Sequence, residues 1–484
     1  MKKIYIVYPK SIGTIAPEIY GHFTEQLGGV FYDGLWVGNN SEVENINGFR
    51  KFVIDKLKAI NVPVIRWPCG CFAETYDWRD GIGKERPVRR NWWTPNDGRY
   101  ENNAVGTHEF MDFCEAVGAK AYFAANLTSS TPLHICHWMD YCLSNENTTS
   151  MAAERKINGS ADPFNIPYWG VGNENWGGGG NMSPAHYGNE YRRYATLMEN
   201  TDNTAALIAC GPNGSDYKWS EEFCRTIVNS GVKINGLAMH YYCGSAGDAL
   251  NFNKDEWYRM LSQANKMEEI LLRHWHILQG FGMDNRVKLA IDEWGCWHPE
   301  GSGPSKGYNL FEQQSTVRDA VVTALTLNIF NNNCEKIMMA NVAQLVNNLH
   351  CLFFASGGDS IVTPTYHVFD MFKDHQGGSA IQTAVTGNDE FNCSVSVSAS
   401  RKNGYTTVTL ANLSAETDME ISLESVGVNL QNTADMTVLY NEDMHAHNTF
   451  EHPDTVKPFT CAADISKPFI IPKTAVVSLK CKEC

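Results

Sequence analysis

From the N-terminus to about residue 370, short apolar runs alternate with longer stretches in which apolar residues recur at helical spacing. Eight of the short runs read as strands: Tyr20–Glu25, Val62–Pro68, Ala121–Leu127, Tyr168–Glu174, Ala206–Gly211, Gly236–Tyr242, Lys288–Trp294 and Lys336–Ala343. Helical periods lie between them at Thr107–Val117, Pro184–Glu199, Glu221–Asn229, Asp255–Gln279 and Phe311–Phe330. Strands alternating with helices signal a parallel α/β domain. Eight units in this length predict a closed (β/α)₈ TIM barrel, a fold that keeps its catalytic residues at the C-terminal strand ends. An open, doubly wound sheet is the competing architecture, since it uses the same units.

After about Asp370 the period becomes two. Cys393–Ser400 and Tyr405–Asn412 alternate around Arg401-Lys402-Asn403-Gly404, a hairpin-turn signal, and Met436–Tyr440 and Ala475–Lys480 continue the pattern. Phe391–Cys484 therefore reads as a β-sandwich, and the early run Lys3–Tyr8 is free to pair with it. The expected division is 1–15 for that N-terminal strand, 16–375 for the barrel and 376–484 for the sandwich.

Composition narrows the partners. With 484 residues, 43% hydrophobic and 19% charged, the chain is an ordinary globular protein and not disordered, collagenous or coiled-coil. Lys+Arg 39 against Asp+Glu 54 leaves −15, a surface that repels phosphate backbones and anionic lipid. Neither nucleic acid nor membrane is expected as a partner, whereas 22 Phe, 20 Tyr and 13 Trp offer flat faces of the kind that suit sugar rings. No apolar run approaches the roughly 18 residues of a membrane span. Met1–Lys10 begins basic but has no apolar core of a signal peptide, so the protein is expected in the cytoplasm with its thiols reduced.

The 15 cysteines do not form a metal pattern: Cys69 and Cys71, the terminal Cys481-x-x-Cys484, and His134-Ile135-Cys136-His137 each lack a paired ligand set. Buried free thiols are expected, with no metal and no cofactor. Gly177–Gly180 lacks the Lys-Ser/Thr of a phosphate loop and reads as a rim loop. No nucleophile elbow is present.

Two strand ends carry the candidate chemistry. Tyr168-Trp169-Gly170-Val171-Gly172-Asn173-Glu174-Asn175 ends its strand in Asn-Glu, and Lys288-Leu289-Ala290-Ile291-Asp292-Glu293-Trp294 ends in a carboxylate beside Trp. By strand count Glu174 ends the fourth strand and Glu293 the seventh, which puts both at one mouth of the barrel. Paired carboxylates divide into a proton donor and an ionised nucleophile or base. Arg66, in Ile65-Arg66-Trp67-Pro68, is placed to hold one of them ionised. His240 and Tyr242 alternate at the end of the sixth strand and so point into one pocket. Trp93 and Trp176 are candidate sugar platforms.

These residues resemble those of the glycoside hydrolase family 51 α-L-arabinofuranosidases, retaining enzymes of the Asn-Glu barrel clan. The likeness runs over nearly the whole chain, through Gly21-His22-Phe23-Thr24-Glu25, Arg66-Trp67-Pro68, Trp78-Arg79-Asp80-Gly81-Ile82-Gly83, Gly172-Asn173-Glu174, Asp292-Glu293-Trp294 and Ala343-Gln344-Leu345-Val346-Asn347. It implies a (β/α)₈ barrel with a C-terminal β-sandwich that takes in the N-terminal strand, and release of terminal arabinofuranosyl residues from arabinose-containing oligo- or polysaccharides. It further implies Glu174 as acid/base, Glu293 as nucleophile and Arg66 as the partner of the nucleophile. Asn173 would hold the sugar 2-hydroxyl, Glu25 and Gln344 the furanose hydroxyls, with Tyr242 close to the nucleophile and His240 near the acid/base. Where the best-known pattern reads Gly-Gly-Asn after the Arg-x-Pro, this chain has Cys69-Gly70-Cys71. Other members share a Cys at the position of Cys71, so a thiol, a poorer hydrogen-bond partner than a carboxamide, is expected at the sugar. The family's assemblies imply a homo-oligomer, in many members a hexamer. The alternatives are an endo-acting β-1,4-glucanase or xylanase on the same scaffold, and a carbohydrate-binding protein without catalysis.

Overall fold

A computed structural model describes residues 1–387 and 390–484. The chain starts with β1 (Lys2–Thr14), then lays down β2 (Gly21–Phe23), β3 (Val64–Trp67), β4 (Lys120–Ala125), β5 (Tyr168–Val171), β6 (Ala206–Ala209), β7 (Gly236–Gly244), β8 (Lys288–Trp297) and β9 (Ile337–Ala343). Strands β2 to β9 pair in parallel, each with its neighbours in sequence, and β9 closes back onto β2. This closure excludes the open doubly wound sheet. Alternation along the strands sorts the side chains into two layers. In β3, Ile65 and Trp67 join the outer core under the helices, while Val64 and Arg66 face the barrel interior. Val64, Tyr122, Ile208, Ala238, Ala290 and Met339, each from a different strand, fill the interior floor. Gly170 leaves room there for Tyr122, because a Cβ on it would lie 2.9 Å from the phenol oxygen.

Strand β8 breaks the alternation. Its register slips between Ala290 and Glu293 against β7, and between Ile291 and Trp294 against β9. One extra residue on one strand is a β-bulge, which re-aims the side chains that follow it. Leu289, Ile291 and Trp294 pack outward into the helical shell, whereas Asp292 and Glu293, although adjacent, both contact interior groups.

Beyond the barrel, β10 (Ser379–Thr386), β11 (Val395–Lys402), β12 (Tyr405–Asn412), β13 (Met419–Val426), β14 (Leu430–Leu439), β15 (Phe459–Asp464), β16 (Phe469–Ile471) and β17 (Val476–Glu483) build one nine-stranded sheet with β1. Its order is β15-β14-β17-β12-β11-β10-β1-β13-β16, and β1 lies antiparallel to β10 and parallel to β13. Ile421 and Ile471 from one end of that order share a core with Val438 and Ala463 from the other, so the sheet folds on itself as a β-sandwich. The hairpin expected at Arg401–Gly404 is present, with Asn403 at φ 53° and Gly404 at φ 77°.

Helix Val317–Asn332 joins the two units. It is buried on all sides, and Asn328 and Asn331 bond to Ser396 and Ser398 of the sandwich. The expected helix at Phe311–Phe330 starts later than its apolar pattern implied. Thr316 caps the helix by a reciprocal pair of bonds with Asp319, which leaves Phe311 in the preceding loop at φ 58°. Among the described residues, no helix is long and apolar enough to cross a membrane. All 15 cysteines are free, and 12 of them are buried.

Candidate active site

A pocket with a cavity volume of about 60 Å³ opens at the C-terminal ends of the barrel strands, lined by Glu25, Cys71, Trp93, Glu174, Tyr242, Glu293 and Gln344 together with Phe23, Leu27, Gly70, Trp297, Phe311, Asn348 and Leu349. At its base Arg66 crosses the barrel interior. Its Nη1 donates to Glu293 Oε1 at 2.8 Å, its Nη2 to Asn173 Oδ1 at 2.7 Å, and its Nε lies 3.4 Å from Asp292 Oδ2. Tyr242 donates its hydroxyl to the other Glu293 oxygen at 2.9 Å. His240 bridges the two glutamates, with Nδ1 at 2.8 Å from Glu174 Oε1 and 3.4 Å from Glu293 Oε2. Its Nε2 lies 3.2 Å from Asp292 Oδ1. Asp292 also accepts the Tyr122 hydroxyl at 2.9 Å.

The charges explain each other. Burial opposes a charged imidazole, but Glu293, Asp292 and Glu174 outweigh it and push His240 up to about 10. Burial equally opposes the Asp292 carboxylate, yet Arg66, His240 and Tyr122 hold its pKa below the usual range. Glu293 is raised by burial and by the nearby Glu174, while His240 and Arg66 pull it back. One ligand atom each of Glu174, His240 and Glu293 lie within 4.8 Å of one another. With His240 bridging two carboxylates and backed by Asp292, the trio is arranged for proton chemistry.

On the opposite wall, Glu25 accepts the Trp93 indole N–H at 2.6 Å and the Phe72 amide at 3.0 Å. Gln344 reaches Glu25 from both ends of its amide, at 3.1 Å to the backbone N–H and 3.4 Å to the carboxylate. Burial pushes Glu25 up to about 8, against those N–H donors. Burial also drives the Cys71 thiol upward, which keeps it protonated in the pocket.

Two family models match the chain: the alpha-L-arabinofuranosidase 1 domain over residues 56–259 and the alpha-L-arabinofuranosidase C-terminal domain over residues 292–471. An intracellular exo-alpha-L-arabinofuranosidase of Bacteroides ovatus is 38% identical over 461 residues, covering 92% of this chain and 88% of that protein. The crystal structure of the GH51 arabinofuranosidase from Xanthomonas axonopodis pv. citri superposes with a TM-score of 0.92 at 34% identity, covering 99% of both chains. The chain belongs to the α-L-arabinofuranosidases of glycoside hydrolase family 51. It is a glycoside hydrolase that releases arabinofuranosyl residues. The α-L-arabinofuranosidase from Thermotoga maritima, solved as an arabinose complex, shares the architecture at a TM-score of 0.87 and 27% identity over the full length of both chains.

Within this arabinofuranosidase-family pocket, the structure brings together ten of the residues singled out in the sequence: Glu174, Glu293, Glu25, Cys71, Asn173, His240, Tyr242, Gln344, Trp93 and Arg66. Trp176 is the exception. It is half-buried against the outer barrel core and does not line the pocket, because the turn after Glu174 folds back on itself through Gly177 and Gly179 N–H bonds to the Glu174 carbonyl. Asp292, Tyr122 and Glu74 went unnoticed in the sequence. Asp292 is masked by the bulge, since strict alternation turns the neighbour of an inward Glu outward. Trp297 lines the pocket because β8 runs past its expected end, and a bond of 2.9 Å between His298 and Asp319 fastens the extension.

Proposed function

We propose that the chain is a retaining, exo-acting α-L-arabinofuranosidase that works by double displacement. Glu293 attacks the anomeric carbon while Glu174 gives its proton to the departing glycosidic oxygen. The arabinosyl-enzyme ester then falls to a water activated by Glu174, and the sugar leaves with its configuration retained. The observation that carries this reading is that one carboxylate oxygen of Glu174 lies within 4.8 Å of one of Glu293. Retaining enzymes place the two carboxyl groups about 5–5.5 Å apart, whereas inverting enzymes need about 6.5–9.5 Å to seat a water between them.

The surrounding groups take their roles from the same contacts. Arg66 and Tyr242 aim both Glu293 oxygens. Arg66 also fixes the Asn173 side-chain carbonyl, and the Asn173 amide nitrogen is buried without a partner among the described residues, free to donate to the sugar 2-hydroxyl. Glu25 and Gln344 hold the furanose hydroxyls, with Trp93 and Cys71 as walls. Protonated His240 steadies the Glu174 carboxylate once its proton has gone. A walled pocket rather than an open groove supports removal of terminal units over endo action, and the intact carboxylate pair speaks against a binding-only protein.

The substrate is an arabinose-containing oligosaccharide or polysaccharide, met in the cytoplasm, as the intracellular Bacteroides ovatus relative supports. The assembly is a homo-oligomer, a hexamer by the family resemblance. The domain division is 1–15, 16–375 and 376–484. The test is turnover of para-nitrophenyl α-L-arabinofuranoside, with the first-formed anomer read by proton NMR, beside Glu174→Ala and Glu293→Ala. Wild-type turnover giving the α anomer first, and its loss in both variants, is expected. The β anomer first, or full activity in either variant, contradicts the mechanism.

A further inference from the structure

Glu74 is a buried carboxylate, 1% exposed, that makes no ion pair among the described residues. It closes the short helical turn Gly70–Ala73 that follows β3, and all four of its side-chain bonds come from N–H groups. Oε1 accepts the Asn173 backbone N–H at 2.7 Å and the Asn175 side-chain amide at 2.9 Å. Oε2 accepts the backbone N–H groups of Leu127 at 2.8 Å and Thr128 at 2.7 Å. Burial pushes this carboxyl upward and the four donors pull it back. One side chain thus ties together the segments that follow β4 and β5, and the two residues it holds after β5 flank Glu174.

The flanked residue needs holding. Glu174 sits at φ 42°, in the left-handed region that a residue with a Cβ adopts only when its surroundings supply the difference. Gly172 before it is at φ 87°, and Asn175 after it bonds on to the Gly179 carbonyl at 2.6 Å. His240 grips the carboxylate of Glu174, but nothing in that contact fixes the peptide from which the side chain springs.

We infer that Glu74 is the positioning residue for proton transfer in this enzyme, holding the Asn173 backbone N–H on one side of Glu174 and the Asn175 side chain on the other so that the Glu174 carboxyl meets the leaving-group oxygen. The inference rests on the proposed acid/base role of Glu174. Glutamine cannot replace Glu74, because its amide nitrogen would face two N–H donors whichever way it turned. The loss of the clamp falls on the proton donor and leaves the nucleophile, held by Arg66 and Tyr242, in place.

The experiment compares kcat/KM of the full chain, Glu74→Gln, Asn175→Ala and Glu174→Ala on two substrates. Dinitrophenyl α-L-arabinofuranoside has a leaving group that departs without a proton, and an alkyl α-L-arabinofuranoside has one that needs it. Glu74→Gln is expected to lose about 10²-fold on the alkyl substrate, the lower end of what general acid catalysis supplies. On the dinitrophenyl substrate it is expected to change little. Asn175→Ala shows the same selectivity, more weakly, and carries the test if Glu74→Gln does not fold, as judged by circular dichroism and melting. If Glu174→Ala shows no selectivity for leaving group, the acid/base reading fails and this inference with it. If Glu174→Ala is selective while the folded Glu74 or Asn175 variant loses equally on both substrates, or loses nothing, Glu74 is structural only and the inference is overturned.

Discussion

Within β8, at its bulge, Glu293 is held through its carboxylate, with Arg66 on one oxygen and Tyr242 on the other, and its side chain is 6% exposed. In the turn after β5, Glu174 is held at its backbone, at left-handed φ, and its side chain is 20% exposed with one grip from His240. The two groups share a pocket and differ in what is immobilised. A nucleophile has to keep a charge aimed at one carbon, and oriented donors do this without reorganising during the reaction. An acid/base has to give a proton to the leaving group and then meet water, so its carboxyl must stay open to both. The bulge in β8 and the φ 42° turn after β5 are the two backbone departures that produce this division.

The largest effects separate the two ends by substrate. In kcat/KM, which reports formation of the ester, Glu293→Ala is expected to lose activity on every arabinofuranoside, whatever its leaving group, whereas Glu174→Ala loses about 10²–10⁴-fold where protonation is needed and recovers with an activated leaving group. Equal loss in both variants on the activated substrate erases the distinction. Next is stability. Asp292→Asn takes the buried anion from between Arg66 and His240 and is expected to cost about 3–5 kcal/mol by denaturant unfolding. Glu174→Gln, at the more open end, is expected to cost about 1 kcal/mol or less. A similar cost for both contradicts the picture of one clamped and one open carboxylate.

Tyr242→Phe removes a single hydrogen bond to a charged oxygen and is expected to raise the barrier by about 1.5–3 kcal/mol, seen in kcat/KM. The mildest probe is pH. Glu25 is raised from 4.5 to about 8 and His240 from 6.5 to about 10, so the folded protein holds protons that the unfolded chain has released. Their contributions are complete below pH 4.5 and 6.5 respectively, and are lost as pH rises through about 8 and about 10. The melting temperature is therefore expected to fall between neutral pH and pH 10, and Glu25→Gln is expected to flatten the part below about 8. A melting temperature that rises over that range contradicts these proton assignments.

Much of this was legible in the residues because strand ends are where pattern and chemistry coincide. Each of the eight expected strand windows overlaps an observed barrel strand, and helix Thr107–Val117 and strand Tyr405–Asn412 match their expected bounds. The misses have local causes. The strand expected at Tyr168–Glu174 stops at Val171 because the chain leaves the ladder after the Gly172 N–H bond to Ala125, and the Asn173 N–H goes to Glu74 instead of a neighbouring strand. Strands Ser379–Thr386 and Phe459–Asp464 were missed because each keeps few of its residues buried, which leaves only a weak alternation to read. Trp176 looked like a sugar platform by its place beside Asn-Glu, but a turn set by backbone bonds decides where that ring goes. Asp292 and Glu74 escaped because a buried carboxylate reveals its role only through partners far away in sequence, such as Tyr122 and Thr128.

The account stands on Glu293 as the nucleophile. Incubating the protein with an activated 2-fluoro-arabinofuranoside, which forms the ester but releases it slowly, and mapping the adduct by peptide mass spectrometry tests that directly. One fluoroarabinosyl group on Glu293 is the predicted result. A label on Glu174 or on any other residue, or steady turnover of the reagent with no adduct at all, would contradict it.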